Sequence, residues 1–258
     1  MPRGFGVAAG LDPEVARPLA ARCAELGYHS LWSNDHPGAK GLDTLAEFGV
    51  AAEDVDLGVA VIALDRTPPE QIAADLERTG LDPARLWLGV GAGFSEKPLT
   101  RMRESLPELR DRLPGVRLVL AAMGPKMCAL AGAKFDGVFF NWMTPEFAAR
   151  ARLQVEAGAK EAEREAPPVL GYVRTAVGPD APERLAKEES FYRDLHDGYR
   201  NHFARLGEPE GTVGVAAPDP PTAQKLLASY TALDTVVVRG LASATVDAMS
   251  DLATAAAR

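Results

Sequence analysis

The chain has 258 residues, 47% of them hydrophobic, and a formal net charge of -8. That length fits one large α/β barrel or two smaller domains, and the apolar content is ample for a sizeable core. An acidic balance with no basic run excludes nucleic acid and an anionic membrane surface as partners. The start of the sequence has no apolar signal segment. No apolar run approaches the ~20 residues of a membrane span, so a cytoplasmic, reducing setting is expected. The two cysteines, Cys23 and Cys128, read as buried thiols rather than a disulfide or metal pair.

In chain order, residues 5–9 read as a short strand. A helix follows, with Asp12 as N-cap, Pro13 at its first position and Gly27 as its stop. Residues 29–33 form the second strand, ending in Asn34-Asp35-His36, and residues 42–52 the second helix. Residues 55–63 are a nearly continuous apolar strand, as expected when both faces are covered. Thr67-Pro68-Pro69-Glu70 opens a helix that ends near Gly80. Strand four, residues 86–90, runs into Gly91-Ala92-Gly93, and a helical connection spans residues 97–113. Strand five covers residues 116–122, with a small-residue helix over 126–133. Strand six covers 137–140, with an amphipathic helix over 146–165. Strand seven is residues 169–177. A broken helical stretch covers 182–206, a helix 222–230, the last strand 235–239 and the last helix 243–257.

Eight strands alternating with helices, with no linker and no short repeat, predict a single α/β domain over residues 1–258: a TIM barrel with its active site at the C-terminal strand ends. A doubly wound open sheet is the alternative.

The strand ends carry the candidate chemistry. After strand two, His36 beside Asp35 can donate, accept or hold a proton near neutrality; equally, Asp35 can cap a turn and His36 can sit in solvent. After strand four, the glycines let a flat ligand lie against the chain, or serve close barrel packing. After strand five comes the turn Met123-Gly124-Pro125-Lys126-Met127. Gly124 permits close approach, Pro125 suits the first helical position, and the free N–H groups with Lys126 suit an anion such as phosphate. After strand six come Asn141 and Trp142, an amide and an aromatic face. Strand seven carries Tyr172 and Arg174 at the same parity, and a charge in an apolar strand demands a partner or a ligand. Phe191, Leu195, Tyr199 and Phe203 recur at helical spacing as a buried stripe, with His196 and His202 between them and no metal-ligand company. No metal site is expected.

Four segments, ELGYHSLWSNDHPG, VDLGVAVIALDRTPPEQIAADLERTGLDPARLWLGVGAG, AAMGPKMCALAGAKFDGVFFNWMTPE and LDTVVVRGLASATVDAMSDLA, span nearly the whole chain. In this order they resemble the bacterial luciferase-like monooxygenase superfamily, in its branch that uses the deazaflavin coenzyme F420. The resemblance implies a TIM barrel with a cofactor across its C-terminal mouth. It implies that Asp35 and His36 meet the deazaflavin end and the substrate, with His36 stabilising charge or handling a proton. Ala60-Val61 match a non-proline cis peptide that backs the ring, Gly91-Ala92-Gly93 a segment along the cofactor, and Met123 to Met127 the loop that holds its phosphate. Asn141 is grouped with the cofactor, and Trp142, Phe94 and Arg174 with the substrate.

The implied activity is hydride transfer between the deazaflavin and a small organic substrate. Phe94 stands where related sugar-phosphate and alcohol dehydrogenases carry a glutamate acid. The connections after strands three, four and seven look short beside typical members, which implies a reduced lid. FMN is the alternative cofactor, for a monooxygenase or a flavin reductase; a non-catalytic cofactor-binding barrel is the third reading. A charged F420 tail favours basic residues near the mouth, with Lys126, Lys40 and Arg66 as candidates. Family members commonly dimerise, so a homodimer is the assembly the resemblance suggests.

Overall fold

The computed structural model describes residues 2–257. Its barrel strands are β1 Arg3–Gly6, β2 Ser30–Ser33, β3 Asp56–Ala63, β4 Leu86–Gly91, β5 Arg117–Ala121, β6 Gly137–Asn141, β7 Val169–Val177 and β9 Thr235–Gly240. Each pairs in parallel with its neighbours from β1 through β7. β9 then joins β7 to β1, so the sheet closes with eight strands. The TIM barrel is therefore the fold. A ninth strand, β8 Val215–Ala217, stands outside the closed sheet and pairs only with the end of β7, Thr175 to Val177. Three residues with no alternation leave little sequence signal, which is why that strand was not expected.

The helices are α1 Pro13–Glu25, α2 Gly41–Ala51, α3 Pro69–Thr79, α4 Pro98–Arg112, α5 Pro125–Lys134, α6 Pro145–Glu161, α7 Ala181–Leu195, α8 Asp197–Leu206, α9 Pro220–Ala228 and α10 Val246–Ala256. Their starts follow the capping chemistry. Asp12 accepts from the Glu14 amide, Thr144 from Phe147 and Asp219 from Thr222. None of the described helices is long and apolar enough to cross a membrane.

Strand side chains alternate between two layers. Phe5, Leu31, Val59, Leu88, Leu118, Val138, Val173 and Val238 point out into the core under the helices. The inner layer is held by Trp32, Val119, Phe139, Leu170, Tyr172 and Val237. Trp32 packs on Phe139 at 4.8 Å between ring centroids, and Phe139 meets Tyr172 edge-on at 4.7 Å. Three rings from β2, β6 and β7 fill the middle of the barrel only because β3 yields space: a Cβ on Gly58 would stand 2.3 Å from the Trp32 ring. At the N-terminal strand ends, Asp56 accepts from Trp87 Nε1 and Arg117 Nη1, both at 2.9 Å.

The long stretch after β7 breaks at His196, whose extended backbone ends α7 and caps α8 through its own ring, Nδ1 accepting from the Gly198 amide. The break resets the helical phase. Of the four residues expected as a buried stripe, Phe203 is buried and Tyr199 half-buried, but Phe191 and Leu195 are exposed.

Candidate active site

The C-terminal mouth has two unlike sides. On the β3–β5 side, the register of β3 shifts between Val59 and Ile62. Within that bulge the Ala60–Val61 peptide is cis. Strand β4 answers it with glycine. A Cβ on Gly89 would lie 2.5 Å from the Val59 carbonyl oxygen, so bulge and strand touch through bare backbone. Gly91 faces Val61, and its would-be Cβ lies 3.3 Å from Val61 Cγ2 and 3.6 Å from Ala121 Cβ. Ala60, Val61, Gly91 and Ala121 thus form a shelf of small groups beside one another. Ala92 turns its side chain into the outer core and leaves only backbone to this face. Gly93 sits at φ +62°, and Asp65 fills the space where its side chain would be. Asp65 also accepts from the Phe94 amide at 2.8 Å, which ties the loops after β3 and β4 together.

After β5, Gly124 starts α5 with nothing within 4 Å of its would-be Cβ. Met123 and Met127 pack against the outer core, so this loop offers backbone and the exposed Lys126. The Met127 and Cys128 amides return to the Gly124 carbonyl, Pro125 has no N–H, and the Lys126 amide is the donor left at the helix start. Of the other two basic candidates, Lys40 is held by Asp75 at 2.6 Å. Arg66 approaches Asp65, at 4.0 Å.

Asp35 and His36 lie at the β2 rim. Asp35 accepts from the Gly41 amide at 2.6 Å and so caps α2; burial pushes its carboxyl above the usual range, against the pull of that amide. His36 is exposed. Its Nδ1 accepts from the Gly38 amide at 3.1 Å, which puts the proton on Nε2, 3.3 Å from the Ala9 carbonyl oxygen.

The β6–β9 side is polar and aromatic. Arg174 points into the barrel and is 2% exposed. It donates through Nη1 to Asn141 Oδ1. Its guanidinium lies 4.3 Å from the Trp142 ring and 4.9 Å from Tyr192. Trp142 is buried in a left-handed backbone conformation at φ +54°, uncommon for a bulky residue. His202 from α8 holds it there, with Nε2 2.6 Å from the Trp142 carbonyl oxygen. Burial lowers the His202 pKa to about 4, more than the carbonyl raises it. Tyr199 reaches Asn141 at 3.5 Å, and burial pushes its hydroxyl up to about 12.

The connections after β3 and β4 run only from Ala63 to Pro69 and from Gly91 to Pro98, whereas the one after β7 carries α7, α8 and β8. The α7–α8 corner reaches the opposite rim, where His196 stacks on Phe94 with ring centroids 4.3 Å apart.

Sequence reasoning thus named two groups that the fold brings together: Ala60, Val61 and Gly91 on the shelf, and Asn141, Trp142 and Arg174 under α7–α8. His36, expected at the deazaflavin end, stands at the β2 rim and hydrogen-bonds to Ala9 and Gly38 rather than to either group. Sequence reasoning also missed Arg239, which donates to Asn34 Oδ1 at 3.2 Å and stands beside Arg174. The signal was present: a charge within the apolar run Val236-Val237-Val238, like Arg174 within strand seven. Among the described residues, no group of three or more His, Cys, Asp or Glu side chains could hold a metal ion.

The profile of the family described as luciferase-like monooxygenase matches residues 107–231. A 5,10-methylenetetrahydromethanopterin reductase from Methanolobus tindarius is 27% identical over 190 residues, 60% of this chain and 58% of the relative. The chain therefore spans less than two thirds of that relative's length. Two solved structures superpose over nearly all of both chains. An F420-dependent secondary alcohol dehydrogenase, in complex with an F420-acetone adduct, gives a TM-score of 0.75 at 16% identity, covering 99% of this chain and 98% of that one. The oxygenating constituent of 3,6-diketocamphane monooxygenase from Pseudomonas putida, in complex with FMN, gives 0.69 at 14% identity, covering 100% and 98%. These matches and the closed barrel agree with each other: the chain is similar to luciferase-like monooxygenases over residues 107–231 and shares the barrel fold of the two structures over nearly its whole length.

Proposed function

We propose that the protein is an F420-dependent oxidoreductase that moves a hydride between the deazaflavin and a small organic substrate. The observation that carries this reading is the shelf of Ala60, Val61, Gly91 and Ala121, whose Ala60–Val61 end on β3 lies two strands from β5, the strand that leads to the open start of α5. Neighbouring strands lie ~4.8 Å apart, so the Ala60–Val61 end of the shelf and the β5 strand that carries the anchor are separated by about 10 Å. A planar ring on the shelf and a phosphate at the Lys126 amide and side chain fit that spacing. The open space at Gly124 is where the phosphate's backbone contact would fall. The deazaflavin supplies the hydride-carrying carbon; the chain supplies position and electrostatics.

The residues of the chain divide that work. The bulge at Ala60–Val61 fixes the depth of the ring, and Gly91 keeps its face clear. Asp35, held by the Gly41 amide, stiffens the β2 rim. His36 handles a proton at Nε2 once the ring leaves the Ala9 carbonyl oxygen. Phe94 donates no proton, so the substrate's proton must pass through another group or through solvent. The F420-dependent secondary alcohol dehydrogenase that shares the fold supports F420 as the cofactor. The FMN-bound neighbour keeps FMN as the second reading, since the anchor would serve either phosphate.

Titration of the purified protein with F420, followed by deazaflavin fluorescence beside a parallel FMN titration, tests the proposal. Saturable F420 binding, micromolar or tighter, with weaker FMN binding is the expected result; saturable binding of FMN alone would overturn it.

A further inference from the structure

Arg174 on β7 and Arg239 on β9 are in register as direct neighbours. They share parity with Tyr172 and Val237, so both side chains point into the barrel. Both are buried, at 2% and 8% exposure. Two guanidinium groups side by side away from water repel one another, and an uncompensated buried charge costs several kcal/mol. The compensation in place is thin. The carboxylate near Arg174 is Glu188, half-buried, with its oxygen 3.9 Å from Arg174 Nε. Arg239 has the neutral Asn34 amide oxygen, and among the described residues no carboxylate forms an ion pair with it. Burial accordingly pulls the Arg239 guanidinium below its ordinary value. Stacked rings cover the face of Arg174 and leave its edge: Arg174 Nε is buried and without a hydrogen-bond partner among the described residues.

We propose that Arg174 and Arg239 together bind an oxyanion, a carboxylate or phosphate group of the substrate, between β7 and β9 and above Tyr172. This names the substrate class for the redox site of the preceding section and rests on that reading for the word substrate. The pair is not placed to hold the cofactor's own phosphate. It lies inside the barrel beneath Tyr192 and Tyr199, with β6 between β7 and the strand that leads to the Lys126 anchor. Paired arginines present planar donors that match a carboxylate or phosphate edge.

The test uses the full chain without cofactor. Inorganic phosphate and succinate are titrated separately by calorimetry and by tryptophan fluorescence, since Trp142 stacks on Arg174. A Lys126→Ala background removes the α5 anchor as a competing site. Saturable binding at one site is expected, with the better of the two anions showing which oxyanion is preferred. Arg174→Gln and Arg239→Gln should each weaken it by about tenfold or more, because each removes charge-assisted hydrogen bonds. Melting curves establish that the variants fold, and Arg239→Lys, which keeps the charge, should retain part of the affinity. The proposal is overturned if neither anion binds saturably to the Lys126→Ala protein, or if folded glutamine variants bind as that protein does. It is also overturned if F420 and the anion compete in a direct titration of the Lys126→Ala protein. Anion binding that persists in a protein unable to bind F420 or FMN would sink the redox reading and leave the anion site standing.

Discussion

Strands β3 to β5 present Ala60, Gly89, Gly91 and Ala121 to the mouth, whereas β6, β7 and β9 present Asn141, Arg174 and Arg239 under a roof of Trp142, Tyr192 and Tyr199. One half is built by leaving side chains out, the other by crowding large donors and rings together. The contrast suits two different ligands. A flat ring needs backbone it can lie on, and every added Cβ is an obstacle. A small polar substrate needs fixed hydrogen bonds in a dry place, which buried arginines supply when a carboxylate or phosphate completes them.

The two halves should fail differently. The largest effect is expected on the aromatic side, through pH. His202 is buried and neutral in the folded chain, with its pKa lowered to about 4 from an ordinary 6.5. The unfolded chain binds the proton first, so stability is full above about 6.5 and falls as pH drops toward 4. At 1.36 kcal/mol per unit the loss reaches about 3 kcal/mol. Melting curves between pH 7 and 4 measure it, and His202→Gln should flatten the dependence. An unchanged slope would place the acid sensitivity elsewhere.

A smaller effect is expected on the glycine side, and there the two glycines should part company. Gly89→Ala pushes a methyl group against the Val59 carbonyl and should cost about 1–3 kcal/mol, read as a lower melting temperature. Gly124→Ala meets open space and should leave the melting temperature nearly unchanged, while the proposed anchoring of a phosphate at this turn predicts weaker cofactor binding. Equal melting temperatures for both variants would contradict the close contact at Gly89.

The barrel was legible in the sequence because its eight strands are apolar runs bounded by helix caps such as Asp12, Thr144 and Asp219. β8 was not, since three residues carry no period. The direction of Arg174 could not be read from alternation alone. Parity says that Arg174 shares a face with Tyr172, and only closure of the sheet makes that face the interior. Arg239 carried the same signal as Arg174. The stripe from Phe191 to Phe203 misled because helical spacing was counted through His196, where the helix stops and starts again. The contact of Phe94 with His196 joins residues about a hundred positions apart, and no local pattern announces it. The glycines after strand four show the same limit. Gly89 and Gly93 are explained by Val59 and Asp65, neighbours that only the fold brings near, which leaves Gly91 as the one that faces the shelf.

The division of the mouth between cofactor and substrate is tested most directly by a crystal structure of the protein soaked with F420. The account predicts the ring against Ala60, Val61 and Gly91, the phosphate at the Lys126 amide, and Arg174 and Arg239 left facing the space beside the ring. A phosphate or tail carboxylate bound between Arg174 and Arg239, with the Lys126 amide left in solvent, would contradict it.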